Sequence, residues 1–289
     1  MAAKRVVAEV ALFWVQRFDF FENERKALCP SSSPTSRSKS PISMLLAVLP
    51  AVANRPKMLG PELPRRVAAE ALGTALLVAV VVGSGIMAER LAHGDVAVAL
   101  LANTLATGAG LYAIITALGP VSGAHLNPAV TLAMAWKRNL PWRDAALYIM
   151  AQIVGGSLGT LAANTMFDEP LVSLSKHVRQ GNAQLFSEGV ATFGLLVVIF
   201  AVSRRRKSAV PGAVAAYITA AYWFTASTSF ANPAVTIARC LSDTFAGIRP
   251  VDVLGFICAQ LIGALAATVV ITWLVPVATN TSDAEGGIL

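Results

Sequence analysis

The segment Leu126-Asn127-Pro128-Ala129-Val130-Thr131-Leu132-Ala133 recurs 105 residues later as Ala231-Asn232-Pro233-Ala234-Val235-Thr236-Ile237-Ala238. In each copy the Asn is a good helix N-cap, and the Pro after it suits the first helical position. The stretches that follow, 128–137 and 233–243, would form helices of roughly 15 Å, half of the ~30 Å hydrocarbon thickness of a bilayer. The pattern therefore predicts two half-length helices, whose motif residues are Asn127, Pro128, Ala129, Asn232, Pro233 and Ala234.

Two further matches flank these segments in the same order. The segment that begins at Glu70 matches the one at Glu188, and the segment that contains Gln152 matches the one with Gln260, at offsets of 118 and 108 residues. Each copy contains three apolar stretches, and an odd number of membrane crossings makes the second copy enter from the opposite side. The sequence therefore predicts an inverted repeat, with repeat one at about 67–166 and repeat two at about 185–275, an architecture that places the binding or permeation site at the midplane.

The composition is that of a membrane protein. Hydrophobic residues make up 55% of the 289 residues, and only 13% are charged, against about 25% in soluble domains. The charged residues fall between apolar stretches of bilayer-spanning length. We expect an all-α membrane protein with six transmembrane helices and two re-entrant half-helices, the spans lying near 67–89, 95–118, 143–166, 185–203, 209–227 and 251–275.

The basic residues indicate orientation. The chain carries a net charge of +7, but its Lys and Arg residues lie in separate loops rather than in one patch, which argues against a nucleic-acid partner. One set of loops holds eleven of these residues and the other holds five. The positive-inside rule therefore predicts a multi-pass protein with both termini in the cytoplasm.

The two ends of the chain differ from the repeats. Residues 1–57 combine a stretch with an apolar face and a Ser- and Pro-rich run that cannot bury a core. We expect a disordered or mis-annotated extension, with translation beginning at Met44 or Met58; an interfacial helix on a flexible tether is the alternative. The channel-like domain then covers 58–276, and 277–289 form a flexible tail.

Two half-helix N-termini that face each other would place two positive dipole ends at the midplane. A cation or a proton would meet an electrostatic barrier there, whereas a neutral solute could accept a hydrogen bond from Asn127 or Asn232. A single Asn-Pro-Ala would indicate only a turn, but two copies in matched eight-residue blocks predict paired pore elements.

The stretch from Ser122 to Thr131, the second Asn-Pro-Ala and the paired Glu and Gln residues resemble the aquaporin and aquaglyceroporin family. The resemblance covers about residues 65–276. It implies six tilted helices and two half-helices around a pore in each subunit, assembly as a homotetramer, and location in the inner (plasma) membrane. It also makes Asn127 and Asn232 the central hydrogen-bond donors, and it implies a passive channel for small uncharged solutes in the lipid bilayer.

The family has a second constriction near the outer mouth. Counting from the two asparagines without gaps, its four positions are Thr107, Ala220, Ser229 and Val235. Most relatives have an arginine where this chain has Val235, so the resemblance implies a wider and less polar filter, open to water and glycerol-like polyols. The pattern is similar to a bacterial subgroup associated with arsenic resistance, which suggests arsenite, as neutral As(OH)₃, among the solutes.

Val235 could instead be an ordinary packing residue, with the constriction formed elsewhere. Arg239 follows Val235 by one helical turn on the same predicted half-helix. It either lends its charge to the mouth of the pore or forms a local i,i+4 ion pair with Asp243, and the second alternative is the more common for such a pair.

Other polar residues fall inside the predicted spans. Glu70 and Glu188 would be costly there unless paired; we expect them to accept hydrogen bonds from the loops that carry the half-helices, and proton coupling is the alternative. Gln152 and Gln260 are predicted to be structural hydrogen-bonding residues. We expect His125 to orient its neighbours by hydrogen bonding rather than to act as a pH gate.

Other classes of protein fit the sequence less well. No nucleotide-binding loop or nucleophile with its base occurs in the spans, so we expect neither an enzyme nor a cofactor. Cys29, Cys240 and Cys258 do not form a metal-binding cluster, and we expect unpaired thiols and no metal. The leading alternative is a secondary transporter with discontinuous helices coupled to an ion gradient, and a purely adhesive membrane protein is a third.

Overall fold

The computed structural model describes residues 61–274, which form eight α-helices and one 3₁₀ turn. The predictions for 1–57, for the tail at 277–289 and for Cys29 concern residues outside that range. In chain order the helices are α1 (Leu63–Leu91), α2 (Val96–Ser122), α3 (Pro128–Trp136), α4 (Trp142–Met166), α5 (Asn182–Arg205), α6 (Val210–Phe224), α7 (Pro233–Arg239) and α8 (Pro250–Leu274); the 3₁₀ turn Lys207–Ala209 precedes α6.

Five of the helices, α1, α2, α4, α5 and α8, are long and apolar enough to cross a membrane. The fifth predicted span, 209–227, forms the shorter helix α6, whose 15 residues extend only about 22 Å. α6 ends at Phe224 because the chain then turns through positive backbone φ angles at Thr228, Ser229 and Ala231 to reach the next helix. The all-helical architecture predicted from the sequence is confirmed, with the shorter helix α6 at the fifth predicted span.

The long helices cross closely in equivalent pairs, α1 with α4 and α5 with α8. A Cβ atom added to Gly155 on α4 would lie 2.1 Å from the carbonyl oxygen of Ala71 on α1. One added to Gly263 on α8 would lie 2.2 Å from the carbonyl oxygen of Gly189 on α5. Both crossings therefore require glycine, and the residues in contact are related by the repeat offsets of 118 and 108.

The half-helices α3 and α7 have nine and seven residues, with Asn127 and Asn232 as their N-caps. α3 packs against α4 and α8, and α7 packs against α4, α8 and α1, so both lie inside the bundle of long helices. The two short helices also contact each other. They therefore meet within the bundle.

The two ends of the bundle differ in charge. We call the end that carries Arg65, Lys137, Arg138 and the segment 204–207 the basic face, and the end that carries Arg90, Lys176 and Arg249 the opposite face. On the opposite face the loop 167–181 packs over the loop 240–249, through backbone bonds such as Ser175 N to the Cys240 oxygen, 3.0 Å. This packing covers one side of the bundle.

Candidate functional site

Asn127 and Asn232 lie together at the junction of the half-helices. Asn127 Oδ1 accepts a hydrogen bond from Ala129 N at 2.9 Å, and Asn232 Oδ1 accepts one from Ala234 N at 3.0 Å. Both side-chain amides then reach across the junction: Asn127 Nδ2 donates to the Ala231 oxygen at 2.8 Å, and Asn232 Nδ2 donates to the Leu126 oxygen at 2.7 Å. Since each NH₂ group has two protons, one donor on each side remains for a solute.

Glu70 holds the loop that leads into α3. The side chain is fully buried. Its carboxylate accepts bonds from Ser122 Oγ (2.6 Å), His125 N (2.9 Å), Leu126 N (2.7 Å) and Gln152 Nε2 (2.8 Å). Four donors satisfy its two oxygens and replace the water lost on burial.

Glu188 holds the loop before α7 in the same way. It accepts bonds from Ser227 Oγ (2.5 Å), Phe230 N (2.9 Å), Ala231 N (2.9 Å) and Gln260 Nε2 (2.6 Å). Gln152 and Gln260 also donate to the hydroxyls of Thr131 and Thr236, at 2.9 and 2.8 Å. Each glutamate therefore ties one long helix, one loop and one half-helix together.

The loops that the glutamates hold are strained at matching positions. Ala124 and Leu126 have φ angles of 45° and 51°, and Ser229 and Ala231, each 105 residues later, have 50° and 48°. Residues with a Cβ atom adopt such angles only where the surrounding structure imposes them. The bonds from Leu126 N and Ala231 N to the two glutamates provide that constraint.

A cavity of about 1000 Å³ runs past the asparagine pair, from Arg66 and Lys207 on the basic face to Arg239 near the opposite face. Leu77, Val81, Leu111, Leu195 and Ile199 give it a largely apolar wall. Among the described residues that line it, four are Arg or Lys and none is Asp or Glu: the cations are Arg66, Arg204, Lys207 and Arg239.

Three of the four predicted filter residues, Thr107, Ser229 and Val235, line this cavity. Ala220 does not: it is exposed on the outer side of α6, so the count without gaps placed that position incorrectly. α6 turns Val214, Ile218 and Tyr222, spaced by four residues, towards the cavity. Because each helical residue advances by about 100°, Ala220 points away from that row.

Tyr222 is the residue of α6 that lies beside the filter positions. Its hydroxyl donates to Thr107 Oγ1 at 3.2 Å. The hydroxyl of Ser229 is buried and has no hydrogen-bond partner within the described part of the chain. A polar solute at this level could therefore supply a partner to Ser229, since a buried hydroxyl without one is unfavourable.

Arg239 lies at the mouth of the cavity rather than in an ion pair with Asp243. Its side chain is only 2% exposed, and its guanidinium carbon lies 3.4 Å from the centre of the Phe230 ring. Nε donates to the carbonyl oxygen of Ala246. Asp243 instead contacts Lys176, with 3.9 Å between Nζ and the carboxylate. Of the two sequence-based alternatives, the structure matches the one that puts Arg239 at the mouth.

Arg179 is a residue of the site that the sequence did not single out. It belongs to the loop 167–181, yet it is 7% exposed and lies 4.9 Å from the same Phe230 ring. It donates to the Gly247 oxygen at 2.8 Å and to the Ser227 oxygen at 3.1 Å. Burial lowers the pKa of Arg179 to about 10, so it remains a cation at neutral pH. No motif marks this arginine, because only loop packing brings it to the mouth.

His125 lines the cavity on the basic side of the asparagine pair. Its Nδ1 lies 3.2 Å from Thr131 Oγ1, and its ring meets the Tyr148 ring edge-on, with 5.5 Å between centroids. Arg66 donates to the Tyr148 hydroxyl at 2.9 Å. These contacts hold the imidazole in one orientation. Within residues 61–274 no three His, Cys, Asp or Glu side chains converge as a metal site would require.

Two opposed half-helices, joined through their caps inside a bundle of inverted repeats and beside a continuous cavity, define an integral membrane channel. The family model described as "Major intrinsic protein" matches residues 58–226. The chain therefore belongs to the major intrinsic protein family, a family of channels, as the resemblance to the aquaporins predicted.

Individual relatives agree with this assignment. The chain is 57% identical to "Aquaglyceroporin AqpS" of Rhizobium meliloti over 74% of its own length and 91% of the relative's. It is 30% identical to "Probable aquaporin AqpM" of Archaeoglobus fulgidus over 71% and 94%. Its fold is similar to the X-ray structure of the aquaglyceroporin from Plasmodium falciparum, with a TM-score of 0.59 and 20% identity over 72% and 94% of the two chains.

Proposed function

We propose that this protein is a passive channel for water and for small uncharged polyols of the size of glycerol. The observation that carries the proposal is the pair of asparagine caps, each bonded to the backbone before the other, beside a cavity of about 1000 Å³. The name of the relative from Rhizobium meliloti, an aquaglyceroporin, supports glycerol as a solute. Asn127 and Asn232 are the proposed central donors.

Cations and protons are excluded electrostatically in this proposal. Two half-helix N-termini place positive dipole ends at the junction. Four cationic side chains and no described carboxylate line the cavity on either side of that junction. A cation would therefore meet positive potential at both ends of the cavity and at the junction, whereas a neutral solute would not be repelled.

The proposed filter consists of Thr107, Tyr222, Ser229, Val235 and Arg239. Val235 is short and apolar, so it leaves width where a long side chain would narrow the opening. Arg239 comes from one turn further along α7 and lines the same cavity as Val235. The combination favours a solute with several hydroxyl groups over one that is merely small.

Arsenite is the more specific solute that we propose. At neutral pH it is As(OH)₃, an uncharged molecule with three hydroxyl groups, and it offers the filter the same donors and acceptors as glycerol. The unpartnered Ser229 hydroxyl and the guanidinium of Arg239 are the groups available to it.

An ion-coupled transporter is the second candidate, and the buried glutamates are its natural coupling groups. All four donors around each glutamate are supplied by the protein, so neither carboxylate is free to carry a proton through the cavity. Neither glutamate lines the cavity. This arrangement favours a channel.

Stopped-flow uptake into proteoliposomes tests the proposal. Water, glycerol and arsenite should equilibrate without any gradient, and an imposed proton or sodium gradient should not concentrate them. Accumulation above equilibrium would establish a transporter instead. The variant Asn127→Asp/Asn232→Asp keeps the capping oxygens but removes the amide donors, so it should lose solute selectivity against ions. Asn182→Asp, an exposed change outside the cavity, is the matched control.

We also propose the orientation of the channel, its membrane and its assembly. The basic face carries most of the Lys and Arg residues, so we place it and both termini in the cytoplasm, with the protein in the inner (plasma) membrane. Long apolar side chains such as Leu72, Leu101, Leu105 and Trp223 are exposed on the outer surface, where they can contact lipid or other subunits of the proposed homotetramer. Cross-linking in membranes would show the number of subunits.

A further inference from the structure

A second, much smaller groove lies on the outside of the bundle. Its volume is about 340 Å³, and it is lined by Trp136 at the end of α3 and by residues of the last turns of α8: Thr268, Val269, Thr272 and Trp273. None of these residues lines the channel cavity. The exposed fractions of Trp136 and Trp273 are 64% and 80%, so both indoles point away from the protein.

The groove lies at the level of the membrane surface. α3 begins at the central junction, and its nine residues extend about 14 Å, close to half of the ~30 Å hydrocarbon layer. Trp136 therefore reaches the boundary between hydrocarbon and headgroups. Trp273, at the far end of a 25-residue spanning helix, lies at the same boundary. Tryptophan is enriched at this depth because its ring is apolar and its N–H is polar.

The side chain of Lys137 lies at the polar end of the groove. Lys137 Nζ donates to Thr272 Oγ1 at 3.0 Å and lies 5.2 Å from the centre of the Phe200 ring. No carboxylate in the described part of the chain forms an ion pair with it; the four ion pairs there involve Arg66, Arg90, Lys176 and Arg249. An ammonium group has three donors, so Lys137 can still bind an anion while it bonds Thr272.

We propose that this groove binds one anionic phospholipid. Its phosphate accepts a hydrogen bond from Lys137, and the start of its acyl chain lies on Val269 between Trp136 and Trp273. Basic pockets between spanning helices at the cytoplasmic surface are suited to such headgroups. The charge of Lys137, the two interfacial indoles and the depth of the groove favour a lipid over a second copy of the chain, because a subunit interface needs a much larger surface than this groove.

Tryptophan quenching by brominated lipids tests this site. The chain has five tryptophans, and the variant Trp14→Phe/Trp142→Phe/Trp223→Phe retains only Trp136 and Trp273. In proteoliposomes that each contain one of the two brominated lipids, at equal mole fraction, phosphatidylglycerol should bind the groove about fivefold more tightly than phosphatidylcholine, and should therefore quench more strongly. One cation near the membrane surface contributes about 1 kcal/mol to the binding of an anionic lipid, which corresponds to that factor. Solute uptake by the same vesicles shows that the variant is folded.

Lys137→Gln in that background should remove the preference for the anionic lipid. Arg138→Gln is the matched control, since it removes the same charge from the next, exposed residue. If the two variants lost the preference equally, general surface charge would explain it and the site would be refuted. Equal quenching by both lipids in the protein that retains Lys137 would also refute the site. So would the absence of quenching by either lipid, because it would mean that protein covers the groove.

Discussion

The two repeats are nearly identical around the half-helices and different at the mouths. Glu70 and Glu188 accept equivalent sets of four hydrogen bonds, and the two asparagines bond each other's loops at 2.8 and 2.7 Å. Beside each asparagine the repeats diverge, since His125 in repeat one corresponds to Phe230 in repeat two. The comparison indicates that the buried hydrogen-bond scaffold tolerates little change, while the mouths are where solute preference can differ.

The aromatic pairs beside the asparagines are equivalent in the two repeats, but the cations next to them differ. His125 meets Tyr148 edge-on at 5.5 Å, and Phe230 meets Phe256 edge-on at 5.3 Å, so the packing is conserved. On the basic face this pair is approached by Arg66, whereas on the opposite face Arg179 and Arg239 both approach Phe230. The opposite mouth therefore concentrates two buried cations on one ring.

The largest expected effect comes from breaking the shared scaffold. Glu70→Ala and Glu188→Ala each remove the acceptor of four hydrogen bonds and release a strained loop. We expect each to destabilise the fold by about 3–5 kcal/mol, the range seen when one partner of a buried charged group is removed. Thermal unfolding in detergent measures this. A large loss for one variant and none for the other would mean that the repeats are not equivalent.

The next largest effect is expected in the proposed filter, towards the opposite face, where the two repeats differ. Val235→Arg should narrow the filter and reduce glycerol and arsenite uptake by about tenfold, which corresponds to an added barrier of about 1.4 kcal/mol. Water uptake should be unchanged, because water is smaller. Ala220→Ile, on the outer side of α6, should leave all three fluxes unchanged. Stopped-flow measurements on both variants test the filter: if glycerol and arsenite fluxes survive Val235→Arg, the constriction lies elsewhere.

A smaller effect is expected at Arg239. Arg239→Leu keeps the bulk of the side chain but removes its charge and donors, so glycerol uptake relative to water should fall about fivefold, equivalent to a hydrogen bond of roughly 1 kcal/mol. Arg239→Lys should restore part of the ratio. An unchanged ratio in the leucine variant would show that this guanidinium only supports the loop through Ala246.

The smallest effect concerns the loop that covers the opposite mouth. Partial desolvation in the loop, followed by the charges of Arg179 and Arg239, lowers the pKa of His177 below its usual 6.5, while Asp243 partly opposes the shift. Because the unfolded chain binds the proton more readily, stability is full above pH 6.5 and falls as the pH drops through and below that value. His177→Gln should lessen the fall in Tm between pH 7 and pH 5. An equal fall in both proteins would assign the effect to other groups.

Much of the centre of this molecule could be predicted from particular residues. The matched blocks around Asn127 and Asn232 and the paired Glu70 and Glu188 specify local caps and buried acceptors, which depend on residue type and short spacing. The mouths could not be predicted in the same way. The count without gaps reached Ala220 rather than Tyr222, because it assumed a loop between α6 and α7 of fixed length and shape.

The sequence alone determined the membrane class, the inverted repeat and the half-helices, since hydropathy, helix capping and repetition are properties of residues near one another in the chain. Only the tertiary structure decided which side chains meet at the mouth. Arg179 comes from a loop 48 residues before Ser227, whose carbonyl oxygen it binds, and it lies beside the Phe230 ring. Such contacts depend on the direction in which distant segments fold back, which no local pattern encodes.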